Sequence, residues 1–371
     1  MKNGIGYKLP WQRLMWRGMT VALLVSSSCG LPRDDKAVVL TEGADLDPGL
    51  PLGPYSRGDA LAEEVNVERA ARFLDTVATN WGEKHGCVTC HTNGYYLTAP
   101  NEVFGDRPAF QKVRAFAEGF VDSWDQEHMP ETEVFVATAA FLAINDAEAQ
   151  RALSPVTVKA LDFAWEHQSE EGHWAGWVKC NWPPFESDDH YGATLIAIAV
   201  GMAPDSYRQI DRVKAGMRRL ESYLSSHPPS HLHHKAMLLW AAKYVDGLVN
   251  ADERERWTEE LFDLQQADGG FASGLLGTWR QRQGEPSDPP VNVESDGYGT
   301  GFVVFVLRQA GVPAGDPRIQ KGVAWLETHQ RAGGYWWTQS LRNESDTSNF
   351  LTHAGTTFAL KALAATNLPE S

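Results

Sequence analysis

The chain has 371 residues, 43% of them hydrophobic and 22% charged, which is enough apolar material for a sizeable core and excludes disorder throughout. Its 33 Lys and Arg stand against 48 Asp and Glu, a formal charge of -15. That excess excludes a nucleic-acid binder, because phosphates need a basic face. No run approaches the roughly 20 apolar residues of a membrane-crossing helix, so the chain is expected not to span a bilayer.

The first element is a targeting segment over residues 1–29. Lys2, Lys8, Arg13 and Arg17 precede the apolar run Met19 to Val25, and Ser26-Ser27-Ser28-Cys29-Gly30 follows. Small residues directly before Cys29 resemble the lipobox of bacterial lipoproteins. That resemblance implies export, with Cys29 as the lipidated N-terminus and the lipid as a peripheral membrane anchor, in the periplasm or on a bacterial membrane. Removal of a plain signal peptide, with Cys29 incidental, is the alternative. Residues 30–62 carry Pro32, Pro48, Pro51 and Pro54 among Asp and Gly, a composition expected to give a flexible tether.

From Val65 onward two segment types alternate. The first is amphipathic, as in 316–330, where Ile319, Val323 and Leu326 lie at helical spacing with Asp316, Lys321 and Glu327 off that face. Similar stretches are 65–80, 107–122, 154–168, 207–225 and 251–266. The second type is apolar nearly all round and rich in small residues, as in Ala137-Thr138-Ala139-Ala140, Gly192-Ala193-Thr194-Leu195 and Gly299-Thr300-Gly301-Phe302. A helix that is apolar on every side must be covered on every side, and small residues let such helices approach closely. Amphipathic helices outside and apolar helices inside describe a two-layer barrel. The repeat of roughly 40–65 residues gives about six hairpins, of which the first inner helix, near Tyr95–Pro100, is the weakest. The ring is expected over residues 63–368.

Between outer and inner helices a second signature recurs. It reads Gln168-Ser169-Glu170-Glu171-Gly172-His173-Trp174, then Gln265-Gln266-Ala267-Asp268-Gly269-Gly270-Phe271, then Gln330-Arg331-Ala332-Gly333-Gly334-Tyr335-Trp336. A glutamine, a glycine turn and an aromatic in one order resemble the QW repeats of the squalene-cyclase and protein-prenyltransferase superfamily, most fully from Lys321 to Trp336. The resemblance implies an all-α fold, an α6/α6 toroid whose inner-helix N-termini face a central cavity.

In the first hairpin, Cys87-Val88-Thr89-Cys90-His91 is the C-x-x-C-H pattern of covalent haem c attachment. Two thiols at that spacing add to the two haem vinyl groups, and the adjacent imidazole becomes an axial ligand of the iron. Met129 is the first candidate for the second axial ligand, with His128 and His85 as others. A Cys87–Cys90 disulfide, or half of a zinc site, are the alternatives.

Glu186-Ser187-Asp188-Asp189 opens the third inner helix and resembles the D-x-D-D acid of class II terpene cyclases. That resemblance implies Asp188 as a proton donor to an alkene, with Asp189 and Glu186 beside it. The other reading is helix capping, because Glu294-Ser295-Asp296 repeats the string at the fifth inner helix and Asp is a preferred N-cap. Cys180, Asp188 and His190 form a further candidate metal set by likeness to the prenyltransferase zinc site, although Cys180 is also read as a plain buried thiol. His231, His233, His234 and His353 fall at inner-helix starts and would line the same mouth, with the Pro-rich stretch 275–295 as a lid. Three functions fit. One is a redox protein with covalent haem and an apolar, isoprenoid-like ligand. The others are an isoprenoid-modifying enzyme using Asp188, and a scaffold closed by aromatics such as Trp240, Trp325 and Phe358.

Overall fold

The computed structural model describes residues 52–125, 129–149, 152–177, 182–185, 188–279, 292–342 and 348–367. The first helices are α1 (Val67–His85), the short α2 (Asn101–Phe104), α3 (Pro108–Asp122), α4 (Thr132–Ala149), α5 (Pro155–Glu166) and α6 (Asp189–Met202). The short α7 (Asp205–Arg208), α8 (Asp211–Ser226), α9 (Leu232–Ala241) and α10 (Ala251–Phe262) follow. The chain ends in α11 (Gly297–Gln309), α12 (Pro317–His329) and α13 (Leu351–Asn367). One π-helical turn lies at Cys90–Gly94 and one 3-10 turn at Ser273–Leu276. Among the described residues no strand forms, and no helix is long and apolar enough to cross a membrane.

Local chemistry sets these boundaries. Asn66 caps α1 by accepting from the Arg69 amide, and Gly86, in the left-handed region, ends it. Ser154 before Pro155 and Asp316 before Pro317 start α5 and α12, where proline fits because the first helical amides need no partner. At α10 the Asn250 and Glu253 side chains cap each other's backbone amides.

α1, α3, α5, α8, α10 and α12 bury one stripe each. On α12, Ile319, Gly322, Trp325 and Leu326 are buried. By contrast α6 is buried from His190 to Gly201 and α11 from Gly297 to Leu307. These inner helices close a ring. α4 packs on α6, α6 on α9, α9 on α11 and α11 on α13, and the Cys90–Gly94 turn joins α13 back to α4. A β-carbon on Gly301 would lie 2.5 Å from the Ala359 amide nitrogen, so the α11–α13 approach depends on that small residue. The molecule is an all-helical α/α toroid. Its first inner element is one π turn and a following bend, so that hairpin has no full inner helix.

The glutamine signature holds outer elements together. Gln168 Nε2 donates to Gly172 O and, across the seam, to Gly216 O of α8. Gln265 Nε2 donates to Gly269 O and to Arg318 O of α12. Gln330 closes the ring, donating to Gly334 O and Asn66 O while its Oε1 accepts from the Asn66 amide. The turn glycines Gly172, Gly269 and Gly334 each have a left-handed φ, between 92° and 104°. A side chain there would meet the next outer helix, at 2.5 Å from Arg69 O for Gly334.

Residues 55–62, assigned by composition to the tether, are docked on this last seam. Leu61 bridges Arg331, Ala62 N donates to Gln330 O, and Ala332 N donates to Ala60 O. Tyr55 is 2% exposed, with Phe73, Tyr335 and His353 around its ring. One aromatic side chain has more apolar area to bury than the surrounding Pro, Gly and Asp can keep in solvent.

Candidate functional site

Every inner element sends a ring to the axis. Tyr95, Phe141, Tyr191, His233, Tyr298, Phe302 and Phe358 are all buried. The Tyr95 and Tyr191 hydroxyls are 2.7 Å apart, and His233 Nε2 is 2.8 Å from Tyr298 Oη. Tyr95 meets Phe358 at 4.9 Å between centroids, and Phe302 meets it at 5.2 Å. Of the aromatics expected to close a cavity, Phe358 and Trp240 meet at 6.3 Å. Trp325 is elsewhere, on α12, where it stacks on His329 and donates to Asp268. The chemistry-bearing side chains therefore gather at the mouth, above this aromatic layer.

The C-x-x-C-H segment is one tight clip at that mouth. Asn93 Nδ2 donates to Cys87 O and its Oδ1 accepts from the Thr89 amide, so one side chain fixes both halves. Cys87, Cys90 and His91 are buried, at 4%, 2% and 3% exposure. The His91 ring is surrounded by Trp182 at 4.6 Å, Trp81 at 4.7 Å and Phe350 at 5.9 Å. Burial, then the nearby His353, His85 and Arg342, hold its pKa well below the ordinary imidazole range. His91 is therefore neutral, as a ligand must be. Its Nδ1 is engaged by Thr92 Oγ1 at 2.8 Å.

This donor set fits a covalent haem c. Two thiols and a neutral imidazole share one clipped turn, and the shell beside them is aromatic. Trp81 Nε1 is a buried donor without a partner, and the Arg342 guanidinium lies 4.3 Å over the Trp182 ring. Both suit an anionic edge such as a haem propionate. Met129, 44% exposed ahead of α4, is not part of this shell. His85 is the nearer of the candidates, stacked at 4.2 Å on Trp81. Its lead over Met129 is spatial, because α1 carries it to the mouth. His128, Cys180, Glu186 and Cys29 fall outside the described residues.

Across the mouth, Asp188 is the N-cap of α6, accepting from the His190 and Tyr191 amides. The same oxygen is 2.8 Å from His234 Nε2. Burial raises its carboxyl, but His234, with His190 and His231, outweighs burial and holds it below the usual carboxylate range. Its geometry is that of a helix cap that also meets a histidine. Asp189 accepts from the Trp177 amide and lies 3.5 Å from His173 Nε2. Asp296, at the repeated string, behaves differently. It caps α11 through Gly299 and accepts from Ser273 and Asn292. Burial pushes its carboxyl up to about 6 against those bonds.

His190, His231, His233 and His234 cluster around Asp188, with neighbouring rings 5.1 to 5.7 Å apart. Sequence spacing placed these residues at one mouth but gave no sign of the Asp188–His234 contact, which joins two hairpins. Among the described residues no group of three His, Cys, Asp or Glu side chains is arranged to hold a metal ion. Of the stretch 275–295, the described ends return to the mouth, Thr278 N to His231 Nδ1 and Asn292 Nδ2 to Asp296.

No family model matches the chain, and no curated protein matches it in sequence. Among solved structures it is similar to a polysaccharide lyase, at 12% identity and a TM-score of 0.48 over 81% of this chain and 99% of that one. An inactive variant of an α-1,6-mannanase from Salegentibacter sp. HEL1_6, in complex with α-1,6-mannotriose, matches at 12% identity and 0.49, over 80% and 99%. A type II terpene cyclase from Scytonema, in complex with geranylgeranyl dihydroxybenzoate, matches at 12% and 0.43, over 74% and 86%. At these identities none of them lends this chain a residue or an activity.

Proposed function

We propose that this chain is an exported redox protein carrying one covalent c-type haem at the mouth of its toroid, with Cys29 as a lipid anchor. The observation that carries the reading is the clipped turn in which Cys87, Cys90 and a neutral, aromatic-walled His91 stand together. Cys87 and Cys90 would hold the haem, His91 would be a ligand of its iron, and His85 would be a further candidate ligand in place of Met129. The haem would supply one-electron chemistry. The chain's own residues keep water from His91 with Trp81, Trp182 and Phe350, and offer Trp81 Nε1 and Arg342 to an anionic edge. With aromatic rings filling the axis, an apolar partner such as a quinone or isoprenoid would meet the protein at the mouth.

The test is the visible spectrum and intact mass of the full chain, exported in a host that attaches c-type haem. A Soret band with a mass gain of one haem is the expected result, abolished by Cys87→Ser with Cys90→Ser. A colourless protein with the mass of the bare chain overturns the reading and leaves the two thiols as a disulfide or metal pair.

A further inference from the structure

The outer helices do not close on one another equally. Lys112 of α3 pairs with Glu83 of α1 at 2.7 Å, and Lys159 of α5 with Asp122 of α3 at 2.9 Å. Arg212 of α8 reaches Asp162 of α5 at 2.6 Å, and Arg318 of α12 reaches Glu259 of α10 at 2.8 Å. Gln330 ties the end of α12 to the start of α1. Between α8 and α10, among the described residues, there is no hydrogen bond or ion pair. No glutamine follows α8, where His227-Pro228-Pro229 stands instead.

On this side of α8 a groove of about 290 Å³ opens, walled by α7, α8 and the turn 244–246 that leads into α10. That volume is at the small end of the range for ligand pockets. Its floor is Met217, Tyr244 and Val245, with Gly201 at the end of α6. A β-carbon on Gly201 would lie 2.8 Å from Tyr244 Cβ and Val245 Cγ2, so the turn rests directly on α6. Lys214, Met217, Arg218 and Glu221 fall at i, i+3, i+4 and i+7, one stripe of α8, and Arg208 of α7 joins them.

α8 carries four Arg and Lys against two Asp and Glu, in a chain of formal charge -15. Arg212 and Arg219 are used on the far side, at Asp162 and Gln168. Lys214 and Arg218 are left to the groove. Arg208 meets Asp205 and Lys214 meets Asp211, but those acids are 79% and 99% exposed, and such surface pairs contribute little. Arg218 has no hydrogen bond or ion pair among the described residues. The acids of the lining are Asp246, which is exposed, and Glu221, half-buried one turn beyond Arg218. Burial pushes the Glu221 carboxyl up, and Arg218 opposes that. Three cations against two acids is a surplus that suits one negative charge rather than two.

We propose that this groove binds a small amphipathic carboxylate, with its head on Arg218 and its apolar part over Met217, Tyr244 and Val245. A guanidinium offers a carboxylate two parallel N–H groups, and Arg208 and Lys214 add charge around it. The apolar part covers side chains that α10 leaves open. The groove lies at the far end of α6 from Asp188 and the mouth, so it stands apart from the haem reading.

Titration calorimetry of octanoate into the full chain tests this, with octanol and octylammonium as the uncharged and cationic counterparts. Octanoate is expected to bind saturably, and each counterpart about tenfold more weakly or worse. Arg218→Ala should weaken octanoate about tenfold, and Arg218→Lys should restore part of the loss. Met217→Trp should fill the groove and abolish binding, while the circular dichroism spectrum and urea midpoint stay close to those of the unsubstituted chain. Three results overturn the proposal. They are no saturable binding at about 10 mM, octanol binding as tightly as octanoate, and octanoate binding that either Arg218→Ala or Met217→Trp leaves unchanged.

Discussion

Asp188 shows how one side chain can serve a helix and a histidine together. It caps α6 through two amides and pairs with His234 through the same carboxylate oxygen. Asn is as good a cap as Asp, so Asp188→Asn removes the carboxylate that meets His234 and keeps the helix start. Asp188 keeps 37% of its side chain exposed. The loss near pH 7 is therefore expected at about 1 kcal/mol, discounted for solvent screening. The sign follows from the depressed carboxyl. Its contribution is complete above the unfolded value of 3.8 and fades as pH falls below it towards the lower folded value. Urea midpoints of the two proteins should differ at about pH 7, and the gap should begin to narrow only below about pH 4. A gap that does not narrow would mean the carboxylate's charge contributes nothing to stability.

At the scale of elements, the seams between hairpins decide stability, and the closing seam has the most to lose. Gln330 is 1% exposed and its side chain makes three hydrogen bonds, two of them to Asn66 at the start of α1. Gln330→Ala removes the partner of the Asn66 amide and of the Gly334 carbonyl at this seam and is expected to cost about 1–3 kcal/mol by denaturant titration. Gln168→Ala, at a half-buried seam, should cost less. These seams were only half legible in the sequence. The glutamine–glycine–aromatic order could be read three times, but the partner of each glutamine lies up to 264 residues away and leaves no periodic trace. The outer helices were legible because amphipathic spacing and caps are local, as at Asp316-Pro317 for α12. The expected helix over 207–225 is split into α7 and α8 near Gln209, a break that no Gly or Pro announces. Tyr55 was missed for a different reason. Its Pro- and Gly-rich setting reads as a tether, and one buried ring among such residues does not change a compositional average.

The whole molecule carries an uneven load of buried neutral imidazole. Burial, joined at His190 and His233 by neighbouring histidines, holds His190 and His353 to about 3 and His233 well below its ordinary value. An unfolded chain binds those protons with pKa 6.5. Stability that is complete above about pH 6.5 must therefore be lost as pH falls towards 3, because the unfolded state takes up more protons. Near pH 5.5 each histidine should cost roughly 1.4 kcal/mol, about 4 kcal/mol for the three. The denaturant midpoint is expected to drop steeply between about pH 7.5 and 5.5, and a flat profile would show that water reaches these rings.

The burial of Cys87 and Cys90 also sets an order of assembly. α13 packs directly on the Cys90–Gly94 turn, and its His353 is bonded to Thr92 within that turn. Yet α13 is synthesised more than 250 residues after the cysteines. Any group joined to those thiols has to reach them while the ring is still an open spiral, before α13 docks and seals them in. Maturation and closure thus compete in time, and a chain that finishes folding first is locked out of modification.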